Sequence, residues 1–456
     1  MNFRAFLALI LCRVLRFLSR VLHRGGTAMP GRWAVKICPN LLSLLARNVK
    51  IIAVTGTNGK TSTSRMIETA FQAQGVSYLA NRSGANLMSG IVTEFVMNST
   101  LTGHCRKEYA VIECDEAAAR TVFPQLKPRI VLVTNLFRDQ LDRYGEVTHT
   151  LENIRTGILG VPEALLCLNA DCSLTSSLAL DLPNKVVYYG IENGVVPTRE
   201  KPEISDATHC IRCKTEYDYA YITYAHLGGF RCPHCGYSRK DADYAVTKII
   251  SQGADSSCVL MRFRGETHQV DVNLPALYNI YNAAGALSAM LELGIQTDNA
   301  IRALSQFHCG FGRMEQFAIG GGMRLMLVKN PAGCNQVLEF LQGVEEDFLL
   351  VVCLNDRGAD GTDVSWIWDA DFEKLPSLLP HLKHIYVSGD RAADMHVRIK
   401  YAEIEESLLS EERNYEALIQ LLSDKKEPIF VMPTYTALLD LRTVIVRHIG
   451  GAEFWE

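Results

Sequence analysis

No sign of charge dominates this chain: 46 lysines and arginines stand against 50 aspartates and glutamates, a formal net charge of −4. A general polyanion binder is thereby excluded, and non-specific affinity for nucleic acid should be poor. Tandem repeats and low-complexity tracts are also missing, so the 456 residues read as about three domains, each large enough to bury its own core. Residues 1–23, MNFRAFLALILCRVLRFLSRVLH, lack an apolar run long enough to cross a bilayer. Arg4, Arg13, Arg16 and Arg20 interrupt them, and no small-residue cleavage site precedes Gly25. Cysteine is not scarce, but ten of the fourteen are scattered singly among apolar segments, Cys38, Cys114, Cys167 and Cys353 among them. That is the usage of a reducing cytosol, not of a disulfide framework.

Within the first 23 residues, Phe3, Phe6, Ile10, Val14, Phe17 and Val21 recur at helical spacing. A basic amphipathic helix lying on an anionic membrane surface is one reading. A helix packed against the body of the protein is the other, because Leu and Ile occur on more than one face.

The strongest signal is Ile51–Ser62, IIAVTGTNGKTS, an apolar run that breaks into a glycine turn and ends in Lys60-Thr61. A strand feeding a helix in this way presents phosphate to backbone N–H groups. Gly56 and Gly59 let the Gly56-Thr57-Asn58-Gly59 backbone turn toward a polyphosphate, Lys60 reaches its outer phosphates, and the Thr61 hydroxyl can ligate Mg2+. A helix following from Ser62 adds its N-terminal dipole. Val54 stands where the first glycine of the standard phosphate loop would be, a departure that narrows the family. The expected ligand is ATP.

From residue 51 to about 307, apolar runs such as Tyr109–Glu113, Ile130–Thr134 and Leu165–Asn169 alternate with helical patterns, predicting a mostly parallel sheet covered on both faces. Val270–Leu274 reads as a strand, and Tyr278–Leu293 as a helix ending at Gly294. Arg313 lies between Gly310 and Gly312 on one side and Gly320-Gly321-Gly322 on the other, a hinge pattern. A second α/β unit then begins, with strands expected at 325–328, 348–352, 384–387 and 428–431.

Ser205–Lys240 interrupts the central region. Cys210-x2-Cys213 and Cys232-x2-Cys235 are separated by 18 residues, the spacing of a four-cysteine zinc ribbon. Gly236 supplies permissive backbone after the second pair, and His234 reads as knuckle filler. Four protein ligands leave no open position, so the zinc is expected to be structural. The intervening loop, with Glu216, Asp218, Tyr219, Tyr221 and Tyr224, is acidic and aromatic where a DNA reader should be basic.

The strand Ala110-Val111-Ile112 delivers Glu113, Cys114, Asp115 and Glu116 to the C-terminal edge of the sheet, where ligands collect. Glu113 is the candidate Mg2+ ligand; Asp115 and Glu116 either join it or cap the next helix. Thr134–Asp142, TNLFRDQLD, is a second polar strand exit. Asn279 and Asn282, three apart at the head of a helix, either read an adenine edge from one side or serve as caps.

Together, TGTNGKT, TNLFRDQLD, YNIYNAA and FGRME resemble the Mur ligase family, which includes folylpolyglutamate synthases, over about residues 46–456. The resemblance implies an α/β fold: residues 1–45 as an amphipathic helical segment, 46–307 as a Mur ligase-like central P-loop ATPase domain with the zinc ribbon inserted at about 205–240, and 315–456 as a Rossmann-like α/β domain. It further implies that ATP phosphorylates a carboxylate and an amine displaces the phosphate. Lys60 and Thr61 would then meet ATP and metal, Glu113 the metal, Asn282 the adenine, and Arg313 the nucleotide.

Three departures point to one branch. No domain of about a hundred residues precedes the phosphate loop, where members acting on UDP-linked precursors carry one; a ribbon is inserted; and the C-terminal region carries Lys329–Gly333 and Asn355–Trp366. These resemble the amidating branch, implying conversion of the D-glutamate α-carboxyl of the lipid II stem peptide with ammonia from a glutaminase partner, GatD. In that branch Asp363 would complete the partner's Cys-His pair. The residues themselves agree that ammonia comes from elsewhere, since no cysteine sits in the G-x-C-x-G frame of a glutaminase nucleophile. Such a protein belongs in the cytoplasm, at or near the inner membrane face. The alternatives are a self-sufficient ligase that adds an amino acid, and a non-catalytic zinc-ribbon scaffold that binds nucleotide.

Overall fold

A computed structural model describes residues 3–21, 28–81, 85–138, 147–199, 206–253, 255–307 and 313–449. Asp139–Asp142 of the second strand exit, Ser205, Cys309, Gly310 and Gly312 lie outside the described residues, as does the Arg313 side chain. The chain forms two compact units, one of Met1–Phe137 and Val147–Phe307, the other of Arg138–Glu146 and His308–Glu456.

In the first unit nine of the described strands form one sheet, and Asp218–Tyr224 and Leu227–Arg231 pair as a separate hairpin. The order of the sheet is Glu266–Val272, Ser257–Phe263, Tyr244–Gln252, Val186–Ile191, Leu165–Asn169, Ile130–Val133, Lys50–Thr55, Tyr109–Glu113, Tyr78–Ala80. Pairing is parallel from Tyr78–Ala80 through Tyr244–Gln252, and the central strands are buried on both faces, Ile130–Val133 throughout. Continuous β-branched runs form such strands because helices cover both sides. The last two strands pair antiparallel. Their residues alternate between buried and exposed, so only one face is covered. The strand expected at 270–274 therefore begins earlier, at Glu266, just after the hairpin turn at Arg264 and Gly265, both at positive φ.

The N-terminal helices Phe3–Val21 and Ala28–Ile37 pack on each other and on Met88–Met97. Ala5, Ala8, Leu9 and Cys12 are buried in that contact, while Phe3, Leu7, Val14 and Phe17 remain exposed. The packed-helix expectation thus holds for one face of the segment, while the other carries exposed apolar residues. Among the described residues no helix is long and apolar enough to cross a membrane.

The second unit is a six-stranded sheet in the order Arg313–Phe317, Met323–Met326, Ile429–Pro433, Phe348–Cys353, Leu382–Ser388, Leu409–Glu411. All pairings are parallel except the first hairpin. Separate apolar clusters cover its two faces. The two edge strands were not expected from the sequence: each is short and half polar, so neither shows the buried apolar run by which its four neighbours are recognised.

Candidate nucleotide site and cysteine cluster

The glycine turn expected to hold phosphate lies between the Lys50–Thr55 strand and the Lys60–Ala73 helix, which starts two residues earlier than the apolar pattern indicated. Gly56 and Gly59 have φ of 116° and 85°, a region costly to any side chain. Space is as restrictive as torsion. A Cβ at Gly56 would lie 2.4 Å from Thr134 Oγ1, and one at Gly59 would lie 2.0 Å from Asn282 Oδ1. The loop is pinned to the strand exit opposite: Thr57 N donates to Asn135 O at 2.9 Å, Asn58 N to Asn135 Oδ1 at 2.9 Å, and Thr134 Oγ1 to Asn58 O at 2.7 Å. Thr57 Oγ1 donates to Phe137 O at 3.1 Å and accepts from Phe137 N at 3.0 Å.

Lys60 is buried and folds back over the loop, donating to Gly56 O at 2.6 Å, Thr57 O at 3.3 Å and Glu116 Oε1 at 2.6 Å. Thr61 Oγ1 donates to Glu113 Oε2 at 2.8 Å. Hydroxyl and carboxylate thus meet beside the loop as a pair of hard oxygen donors suited to Mg2+. Asn81 fixes Glu113 by accepting from its N–H at 2.9 Å and donating to its carbonyl at 2.7 Å. Of the two carboxylates with open assignments, Asp115 is the cap, accepting from Ala117 N at 3.0 Å and Ala118 N at 3.3 Å. Glu116 instead neutralises Lys60. Nothing in the sequence distinguished them, and nothing marked Asn81.

Asn279 and Asn282 do share one side of the Leu277–Leu293 helix, with Asn282 Nδ2 donating to Asn279 Oδ1 at 3.3 Å. Asn279 Nδ2 donates to Pro275 O at 2.7 Å, and Asn282 abuts Gly59, so Asn282 stands directly beside the loop and Asn279 behind it through their shared hydrogen bond. Arg313 opens the first strand of the other unit.

The Sγ atoms of Cys210, Cys213, Cys232 and Cys235 all lie within 4.8 Å of one another. Cys210–Cys235 and Cys213–Cys232 are 3.5 and 3.4 Å apart, far longer than the ~2.05 Å of a disulfide. They are near the ~3.8 Å edge of a tetrahedron with ~2.3 Å Zn–S bonds. This donor set is compatible with zinc. Gly236 has φ of 73°, as the knuckle requires, and His234 is exposed. Beneath the cluster, the rings of Tyr217, Phe230 and Tyr237 pack edge to face or tilted at 5.3 to 6.4 Å. A buried charge anchors the insertion to the sheet. Asp171, fully buried, accepts from Arg239 Nε at 2.6 Å, Tyr281 OH at 2.6 Å and Ile191 N at 2.8 Å. Burial pushes its carboxyl up, and Arg239 opposes that shift.

Asp363 follows the Phe348–Cys353 strand in an exposed loop. Its Oδ1 accepts from Ser365 N at 2.8 Å, and hydrogen bonding from Ser365 holds the carboxyl below its ordinary range. Nearby Asp360 is buried and bound to the backbone N–H and hydroxyl of Thr436, while Asp356 pairs with Arg391 at 2.9 Å. Of the three, Asp363 faces solvent. No described cysteine forms a disulfide. Cys172 meets His226 at 3.5 Å, but both are fully enclosed, so no accessible nucleophile results.

A parallel sheet followed by a second α/β unit fits the Mur ligases, and the relatives indicate an ATP-dependent ligase of that type. The Mur ligase middle domain model matches residues 54–230, and the MurT ligase C-terminal model matches residues 327–438. The lipid II isoglutaminyl synthase (glutamine-hydrolysing) subunit MurT of Streptococcus pneumoniae is 33% identical over 98% of this chain and 98% of its own length. The MurT subunit of Staphylococcus aureus is 32% identical over 99% and 100%. Among solved structures, a pseudomurein peptide ligase type C from Methanothermus fervidus superimposes with a TM-score of 0.65 at 20% identity, covering 88% of this chain and 79% of that one. The chain belongs to the MurT family. Mur ligases use ATP and Mg2+.

The thiol cluster makes a direct prediction. Purified protein should carry about one zinc per chain, and Cys213→Ser should lower its Tm by roughly 5–10 °C. Metal analysis with thermal unfolding checks this; metal-free protein of unchanged Tm would remove zinc from the account.

Proposed function

We propose that this chain is the ligase subunit of a lipid II isoglutaminyl synthase, amidating the α-carboxyl of D-glutamate in the stem peptide. The observation that carries the reading is the convergence of Lys60, Thr61 and Glu113 on one phosphate loop, in a chain similar over its full length to subunits bearing that name. The γ-phosphoryl of ATP passes to the carboxylate, ammonia attacks the resulting acyl phosphate at carbon, and inorganic phosphate leaves as the amide forms and a proton is lost. Lys60 stabilises charge on the transferring group. Its desolvation is already offset by Glu116 and two carbonyls, so an incoming phosphate oxygen displaces protein acceptors instead of water. Thr61 and Glu113 hold Mg2+, Asn279 and Asn282 line the adenine side, and the four cysteines hold a structural zinc; the Mur ligase resemblance assigns Arg313 to the nucleotide as well.

Lys60→Ala should reduce substrate-stimulated ATP hydrolysis by at least about a thousandfold. It should also lower Tm, because buried Glu116 loses its ion pair with Lys60. Adding Glu116→Gln should restore stability without turnover. Turnover near wild type in folded Lys60→Ala would sink the phosphate-loop assignment.

Ammonia is supplied by a glutaminase partner resembling GatD, and Asp363 completes that partner's Cys-His pair. An ionised, solvent-facing carboxylate held by the Ser365 N–H suits the task, since a third group that orients the imidazole and stabilises its cation raises the activity of such a pair by orders of magnitude. Asp363→Asn should cut glutamine-dependent amidation at least about a hundredfold while leaving amidation with added ammonium within about twofold. Mass spectrometry of the lipid II product, one dalton lighter on amidation, provides the assay; equal loss with both nitrogen sources would return Asp363 to the ligase site or the fold.

The enzyme meets its lipid-linked substrate at the inner membrane surface through the bare face of the Phe3–Val21 helix. Phe3 and Phe17 are 77% and 67% exposed, and Trp33 stands out from the neighbouring helix. Arg4, Arg20, Arg32 and Lys36 are also exposed, and neither helix carries an acidic residue, so apolar and positive surface coincide on this pair of helices. Phe3→Ser with Phe17→Ser should weaken binding to anionic vesicles about tenfold or more with little effect on a soluble short-chain substrate. Unchanged vesicle binding would leave this face without a membrane role.

A further inference from the structure

The ribbon's hairpin, Asp218–Tyr224 and Leu227–Arg231, has the cysteine cluster at its open end and Ala225-His226 at its turn. Hairpin turns ordinarily lie in solvent, but this one does not: His226 is 1% exposed. Its ring centroid lies 4.8 Å from that of Phe137 and its Nε2 lies 3.5 Å from Cys172 Sγ. Its Nδ1 is buried with no hydrogen-bond partner among the described residues. Phe137 is the residue whose backbone exchanges both hydrogen bonds with the Thr57 hydroxyl. The hairpin tip is therefore one side chain removed from the phosphate loop.

A second route leaves the same hairpin. Thr223 Oγ1 and Tyr281 OH are 2.8 Å apart, and the rings of Tyr224 and Tyr281 meet edge to face at 5.7 Å. Tyr281 precedes Asn282, whose Oδ1 occupies the space beside Gly59. One strand end thus touches both flanks of the loop, Thr57 through Phe137 and Gly59 through the Tyr281-Asn282 backbone. Neither contact is needed to gather four thiols, and neither closes the sheet.

We propose that the zinc-ribbon hairpin is a brace for the nucleotide site, with His226, Phe137 and Tyr281 as positioning residues, so that metal occupancy and nucleotide affinity are coupled. The proposal rests on the reading that the phosphate loop holds ATP. Because the metal fixes the open end of the hairpin, its loss frees the tip, and Thr57 and Gly59 lose their backing. Linkage makes the effect reciprocal: if zinc tightens nucleotide, nucleotide must retain zinc by the same factor.

The test uses the full chain and MgADP. Calorimetric titration of wild type, Phe137→Leu and His226→Leu should show each variant retaining about one zinc yet binding MgADP about tenfold more weakly. In wild type, saturating MgADP should raise the affinity for zinc about tenfold, read as resistance to a competing chromogenic chelator at equilibrium, and should do so much less in the variants. Variants that bind MgADP within about twofold of wild type, or a wild-type zinc affinity indifferent to MgADP, would overturn the brace. The latter measurement needs no substitution, so it decides the matter even if a variant fails to fold. Wild type that binds no MgADP at all would overturn the phosphate-loop reading itself.

Discussion

The site depends on a steric constraint, the seating of a glycine backbone under a neighbouring strand exit. Gly56 lies so close to Thr134 and Asn135 that no Cβ fits, and that closeness lets the amides of Thr57 and Asn58 reach Asn135. Once the loop is fixed, the first turn of the Lys60–Ala73 helix is aimed, and with it Lys60 and Thr61. Backbone N–H groups at a helix start suit an anion only if the preceding turn holds still. Here the turn is held by buried, mutually satisfied polar groups, the arrangement that specifies a single geometry.

Two buried charge pairs organise the rest of the first unit, and their logic differs. Lys60 and Glu116 form a pair at the ligand edge, where the lysine has acceptors it can exchange. Asp171 and Arg239 form a pair at the root of the ribbon, with Tyr281 and the Ile191 N–H completing the carboxylate's shell. Removing one partner of either pair would strand a charge in a low-dielectric interior. The first pair is suited to meeting a ligand, the second to holding an inserted segment in register with the sheet.

The second unit repeats the layering of a parallel sheet between two apolar clusters but presents its chemistry differently. Asp360 is consumed by Thr436 at the start of the Tyr435–Ile449 helix, whereas Asp363, three residues on, is oriented by a turn and left in solvent. Carboxylates close in sequence differ in both units because one is bound to the first turn of an α-helix and the other is not.

By itself the sequence determined the features whose physics is local. Glycines 56 and 59 before Lys60 dictate the turn, cysteine pairs two residues apart dictate the knuckles, and runs such as Ile130–Val133 can satisfy themselves only as buried strands. Helical spacing in residues 3–21 showed an apolar stripe, but not that Ala5, Ala8 and Leu9 would be covered while Phe3 and Phe17 stayed bare; that depends on the helices packed beside it. Likewise only the tertiary structure decided that Asp115 caps while Glu116 pairs with Lys60, since helix phase separates neighbours in the chain. It alone joined Asn81 to Glu113, Asn282 to Gly59 and His226 to Phe137. Those partners are set by strand order and by which elements cross the sheet edge, and sequence spacing carries no record of either.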